Sequence, residues 1–94
     1  MTYTAGRFRV KGAATYATLG ELSRELLLQS AKPGELVLEL GQLEECDSHF
    51  VATLAACQRN KSRYNGAVVI ESATEQLQSM FAVYGLLDAG IVMR

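Results

Sequence analysis

Leu36-Val37-Leu38-Glu39-Leu40-Gly41-Gln42-Leu43-Glu44-Glu45-Cys46-Asp47-Ser48 is the stretch on which the reading of this chain turns. Its opening alternates as a strand does. Leu36, Leu38 and Leu40 share one face, and Val37 lies beside Glu39 on the other. It closes on Asp47 and Ser48, two strong helix N-cap types, and residues 49–59 read as the helix that follows. The stretch thus predicts a central strand, a short loop carrying Glu44 and Glu45, and a helix mouth.

Working outward towards the N-terminus, Phe8 and Val10 alternate with Arg7, Arg9 and Lys11, so a second strand has one wet and one buried face. Gly12 ends that run. Residues 2–4 form a further β-favouring run, joined to it around Ala5-Gly6 as a hairpin or one bent strand. Thr15 is a fair N-cap for a helix over 15–31. There Leu19, Leu22 and Leu26 fall at helical spacing, Leu27 widens the stripe, and Glu21, Arg24 and Glu25 lie opposite. Pro33-Gly34 stops this helix.

Towards the C-terminus, the helix over 48–62 has Phe50, Leu54 and Cys57 on one ridge and Val51 and Ala55 on a second. Arg59, Lys61 and Arg63 gather at its C-terminal end, where cations suit the dipole. Asn65-Gly66 breaks it. Ala67-Val68-Val69-Ile70 is continuous and β-branched, as an interior strand is. Ser72-Ala73-Thr74-Glu75 has capping-box spacing and predicts a helix over 72–84. Its stripe is Leu77, Met80, Phe81 and Tyr84, and Gly85 is its C′ residue. Residues 91–93 suit a short edge strand. Strand and helix alternate throughout, which predicts an α/β sheet with parallel pairing at its centre.

Ninety-four residues allow one domain, 1–94, and one modest core. Hydrophobic residues make up 49% and charged residues 20%, a balance that folds rather than stays disordered. The net charge of −1 gives no footprint for nucleic acid or an anionic membrane. No apolar run approaches the roughly 20 residues a membrane helix needs, and the first ten residues lack the apolar core of a signal peptide. A cytoplasmic address follows as the expectation. Cys46 and Cys57 fit it, since two thiols make neither a disulfide framework nor a zinc quartet.

Asp47-Ser48-His49 contains the residue types of a hydrolase triad, but three consecutive residues entering a helix project roughly 100° apart. They cannot converge as a triad must. The single His leaves no histidine pair for a metal, the glycines form no phosphate loop, and Glu44, Glu45 and Asp47 read as a solvated loop. No enzyme, cofactor or metal is expected. Asp47 or Ser48 caps the helix, while His49 reads as a first-turn surface residue and Phe50 as core or interface. A phosphate on Ser48 would face the positive end of the helix dipole and add charge beside Glu44, Glu45 and Asp47.

The run from Leu36 to Ser48 resembles the middle of a STAS domain, where an apolar strand and short loop lead to Asp-Ser or Asp-Thr. In that pattern His49 stands where a small residue is usual and Phe50 where Gly is usual. The segment from Phe8 to Leu19 is similar to the family's opening, with a strand ending in Gly12 and Thr15 starting a helix. Leu86-Leu87 resembles the Gly-Leu pair after its last helix. The resemblance covers about residues 8–92. It implies a small mixed β-sheet with three to four helices in a single layer, and a non-catalytic, protein-binding role without cofactor. The version it suggests first is an anti-sigma factor antagonist-like regulator. There Ser48 is phosphorylated by a partner serine kinase, and Asp47, Ser48, His49 and Phe50 meet that partner. The alternative is the small cytoplasmic STAS subunit of a phospholipid-transport ABC complex, docked on the ATPase. Neither version involves nucleic acid or membrane insertion, and both are compatible with a homo-oligomer.

Overall fold

The chain runs β1 (Thr2–Thr4), β2 (Arg7–Ala14), α1 (Gly20–Ser30), β3 (Leu36–Cys46), α2 (Ser48–Arg63), β4 (Val68–Glu71), α3 (Glu75–Val83) and β5 (Val92–Met93). This computed structural model describes residues 2–4, 7–86 and 88–94. The expected joint at Ala5-Gly6 and Leu87 of the Leu86-Leu87 pair lie outside them. The five strands form one sheet in chain order. β1 pairs antiparallel to β2, as a hairpin does, with Tyr3 opposite Phe8. From β2 to β5 every pairing is parallel. The result is the expected mixed α/β sheet with three helices.

Each parallel step is bridged by one helix, and every step moves the same way across the sheet. Right-handed crossovers then put all three helices on one face. The core lies between the layers, where Phe8, Leu38 and Ile70 of the sheet join Leu26, Phe50, Leu54 and Phe81 of the helices.

The opposite face is open, and ion pairs pave it. Val37 and Val69 are buried there although they stand outside the main core cluster. Arg7 reaches from β2 across β3 to pair with Glu71 on β4. Arg94 pairs with Glu71 at 3.9 Å and with Glu35 at 3.2 Å, so its stem runs back along the sheet. Arg9 meets Glu39 at 3.3 Å. Long stems over apolar residues with wet guanidinium heads suit a sheet face that has no helix on it among the described residues.

Two irregularities in the β2–β3 register change the expected loop. Arg9 faces Glu39, Lys11 faces Gln42 and Ala13 faces Glu45, so β3 gains a residue at each of two bulges. Each extra residue flips the alternation. Buried Leu40 is therefore followed by buried Leu43, and then by half-buried Cys46 packed on the core. The stretch read as a short loop after Leu40 is strand as far as Cys46. β2 likewise continues through Gly12, whose φ of 72° suits glycine.

Two helices begin later than expected. α1 starts at Gly20 rather than Thr15, because residues 15–18 close into a turn of their own. α3 starts at Glu75, capped by Thr74, whose Oγ1 accepts the Leu77 N–H at 3.3 Å. Ser72, with φ of 61°, is no part of that helix. The α3 C-terminus is as expected. Leu86 N–H donates to Phe81 O and Gly85 N–H to Ala82 O, a Schellman pair about Gly85 at φ 73°.

Candidate docking site at the mouth of the second helix

The amino ends of α1 and α2 both lie at the carboxyl end of the sheet, where open α/β folds place functional groups. Asp47 ties the two together. Its backbone is extended, and its side chain caps α2. Oδ1 accepts the N–H of His49 at 3.0 Å and of Phe50 at 3.2 Å. Oδ2 accepts the N–H of Tyr16 at 2.8 Å, across from the β2–α1 turn. These three donors, Tyr16 first, hold the Asp47 carboxyl below the usual aspartate range.

The turn that presents Tyr16 is built by two threonines. Thr18 Oγ1 accepts the Thr15 N–H at 2.9 Å and donates to Ala13 O at 3.0 Å. Thr18 and Leu19 N–H both donate to Thr15 O. The Tyr16 side chain is left 77% exposed. It meets the His49 ring edge-on, with centroids 5.1 Å apart and planes at 90°. Sequence reasoning missed Tyr16. It sits in a turn, outside any apolar period, and only the Asp47 bridge brings it to the α2 mouth.

Of the four residues expected at the site, three share the surface. Asp47 is half-buried, and Ser48 and His49 are exposed. The Ser48 hydroxyl has no hydrogen-bond partner among the described residues. Phe50 is separated from them: it is fully buried and packs in the core beneath the mouth. Asp47, Ser48 and His49 thus share one surface with Tyr16, and the Phe50 ring lies beneath it. The cap is Asp47 alone, so Ser48 is free of that duty.

The geometry assembles no triad. Asp47 spends its oxygens on three backbone N–H groups, including that of His49, and the His49 ring rests on Tyr16. Glu44 and Glu45 are exposed on β3, with no ion-pair partner among the described residues. No three His, Cys, Asp or Glu residues among those described are grouped to hold a metal. Behind the mouth, Cys46 Sγ lies 3.5 Å from Met80 Sδ. Burial and then the Asp47 charge push that thiol up, away from the reactive thiolate.

A protein-family model described as "Mlab, STAS domain" matches residues 1–93. A search of curated proteins found no match. No helix among the described residues is long and apolar enough to cross a membrane.

Proposed function

The chain belongs to the STAS domain family, and from that premise we propose that it is a non-catalytic module whose protein partner docks over Asp47, Ser48, His49 and Tyr16. STAS domains generally act through protein–protein contact. The observation that carries the reading is the exposed Tyr16–His49 pair beside the free Ser48 hydroxyl, all anchored on Asp47. Tyrosine is among the residue types enriched at the energetic centres of interfaces. Buried Phe50 serves this surface from below by fixing the first turn of α2.

Two versions of the partner remain distinct. In the regulatory version, a serine kinase phosphorylates Ser48 and the modified form is released. In the other, the chain is a cytoplasmic subunit of a phospholipid-transport ABC complex and stays on the ATPase. One feature supports the second. Asp47 already accepts the His49 and Phe50 N–H groups, so a phosphate on Ser48 would find those donors taken and a fixed negative charge beside it.

Quantitative binding to the partner captured from native lysate tests this reading. Ser48→Ala leaves the cap in place and changes folding stability by less than about 0.5 kcal/mol, whereas Tyr16→Ala and His49→Ala each weaken binding by about tenfold or more. Parent-like binding by both aromatic variants contradicts the docking site. Ser48→Asp weakens binding in either version. Stoichiometric phosphate on Ser48 in protein from cells would restore the regulatory version.

A further inference from the structure

The free edge of the sheet beyond β5 is a second surface, made of residues that take no part in the Ser48 mouth. Arg94 donates its N–H to Ile70 O at 2.8 Å and accepts the Ser72 N–H at 3.3 Å, so both its backbone groups face β4. Successive residues of a strand turn their backbone groups to opposite edges. Met93 therefore directs its N–H and C=O outward, and no strand among the described residues lies beyond β5. Beside this edge runs a groove of about 460 Å³, walled by Glu75, Gln78, Ser79 and Ala82 of α3 and by Met93. The four helix residues stand at i, i+3, i+4 and i+7, so they form one stripe along α3. A helix wall beside an open strand edge is the setting in which extended peptides bind: the backbone pairs with the edge and alternate side chains enter the groove.

We infer that this groove takes an extended, lysine- or arginine-bearing segment of a partner protein, added to the sheet as a strand beside β5. Glu75 is the one charged residue among the described residues walling the groove. It is exposed and has no ion-pair partner among the described residues. A cation on the incoming segment complements it. Side chains on the segment's groove side meet Met93 and Ala82, and those on its other side lie near Val92, which is 41% exposed. The two residues of β5 are too short an edge to template pairing by backbone alone. Selection therefore comes from the groove.

The test uses the full chain and, as probe, a capped hexapeptide of alternating lysine and valine. Amide resonances of residues 92–94 and 75–82 shift on titration, and exchange of the Met93 N–H slows. N-methylation of alternate peptide nitrogens abolishes binding. Glu75→Gln weakens it about fivefold, as loss of one exposed ion pair does. Ala82→Arg, on an exposed helix position, blocks the groove while the melting temperature holds. Met93→Pro removes the outward N–H together with the Met93 wall of the groove and abolishes binding, whereas Met93→Leu keeps both an N–H and an apolar wall and binds like the parent. The inference is overturned if the Met93 amide is unmoved at millimolar peptide. Equal binding of a glutamate–valine peptide, of the N-methylated peptide or by Met93→Pro also overturns it. So does a concentration-dependent dimer that already protects the Met93 amide, since a second copy would then occupy the edge.

Discussion

Asp47 holds three backbone donors from two parts of the chain, and no other residue type of its size accepts them all. Asp47→Ala leaves those N–H groups to water. It should lower the melting temperature by roughly 4–8 °C, as loss of a strong cap does in a domain of this size. Because the folded carboxyl is held below its unfolded value, its contribution is complete above about pH 4 and fades as pH falls through the lowered value. Acid titration of stability should therefore be flatter in Asp47→Ala than in the parent. On the alkaline side two neighbours on α2 act in opposite senses. Burial pushes the Cys57 thiol up to about 11. Its contribution is complete below the unfolded value of about 8.5 and is lost as pH rises towards 11. Lys61 is 2% exposed, and burial lowers its ammonium. Its contribution is complete above the unfolded value of about 10.4 and is lost as pH falls through the lowered one. Chemical denaturation between pH 8 and pH 10 should show stability falling with pH more steeply in Lys61→Met than in the parent, and less steeply in Cys57→Ala.

At the scale of elements, α2 organises its neighbours through polar side chains that periodicity does not reveal. Gln58 Oε1 accepts the buried Val68 N–H at 2.9 Å and so caps the first residue of β4. Asn60 Nδ2 donates to Ser30 Oγ at 3.0 Å, and Lys61 Nζ donates to Lys32 O at 2.6 Å, joining α2 to the end of α1. Nearby, a Cβ on Gly66 would lie 2.3 Å from Gly34 O, so the loops after α1 and α2 touch where only glycine fits. Gln58→Ala orphans the Val68 N–H. It should cost about 1–3 kcal/mol in urea denaturation, whereas Gln58→Glu keeps an acceptor and should cost less. Equal stability of Gln58→Ala and the parent would remove Gln58 from this role.

Across the whole molecule, the apolar alternation of Leu36–Leu40, the β-branched run before Glu71 and the stripe of α2 were enough to read the layer order and the parallel centre. They are periodic, and burial follows period. The bulges in β3 were not legible, because Gly41-Gln42 and Glu44-Glu45 look like a polar loop until pairing with β2 keeps them in the sheet. Tyr84 fits the α3 stripe by spacing yet is 54% exposed, since it caps a helix that ends there. Lys61 was read as a dipole cation and is instead interior. The site was legible in part: Asp47 and Ser48 announce a helix mouth, while Tyr16 arrives through a contact 31 positions away in sequence.

That convergence also sets the most direct test. A photo-crosslinking amino acid placed at Tyr16 sits on the proposed interface, and one placed at Tyr64, exposed at the far end of α2, serves as control. The helix between them spans about 24 Å at 1.5 Å per residue, beyond the reach of one probe. Irradiation in the native cell, followed by mass spectrometry of adducts, should give one discrete protein partner from position 16, lost in His49→Ala, and none from position 64. The same partner captured from position 64 and not from position 16 would contradict the account.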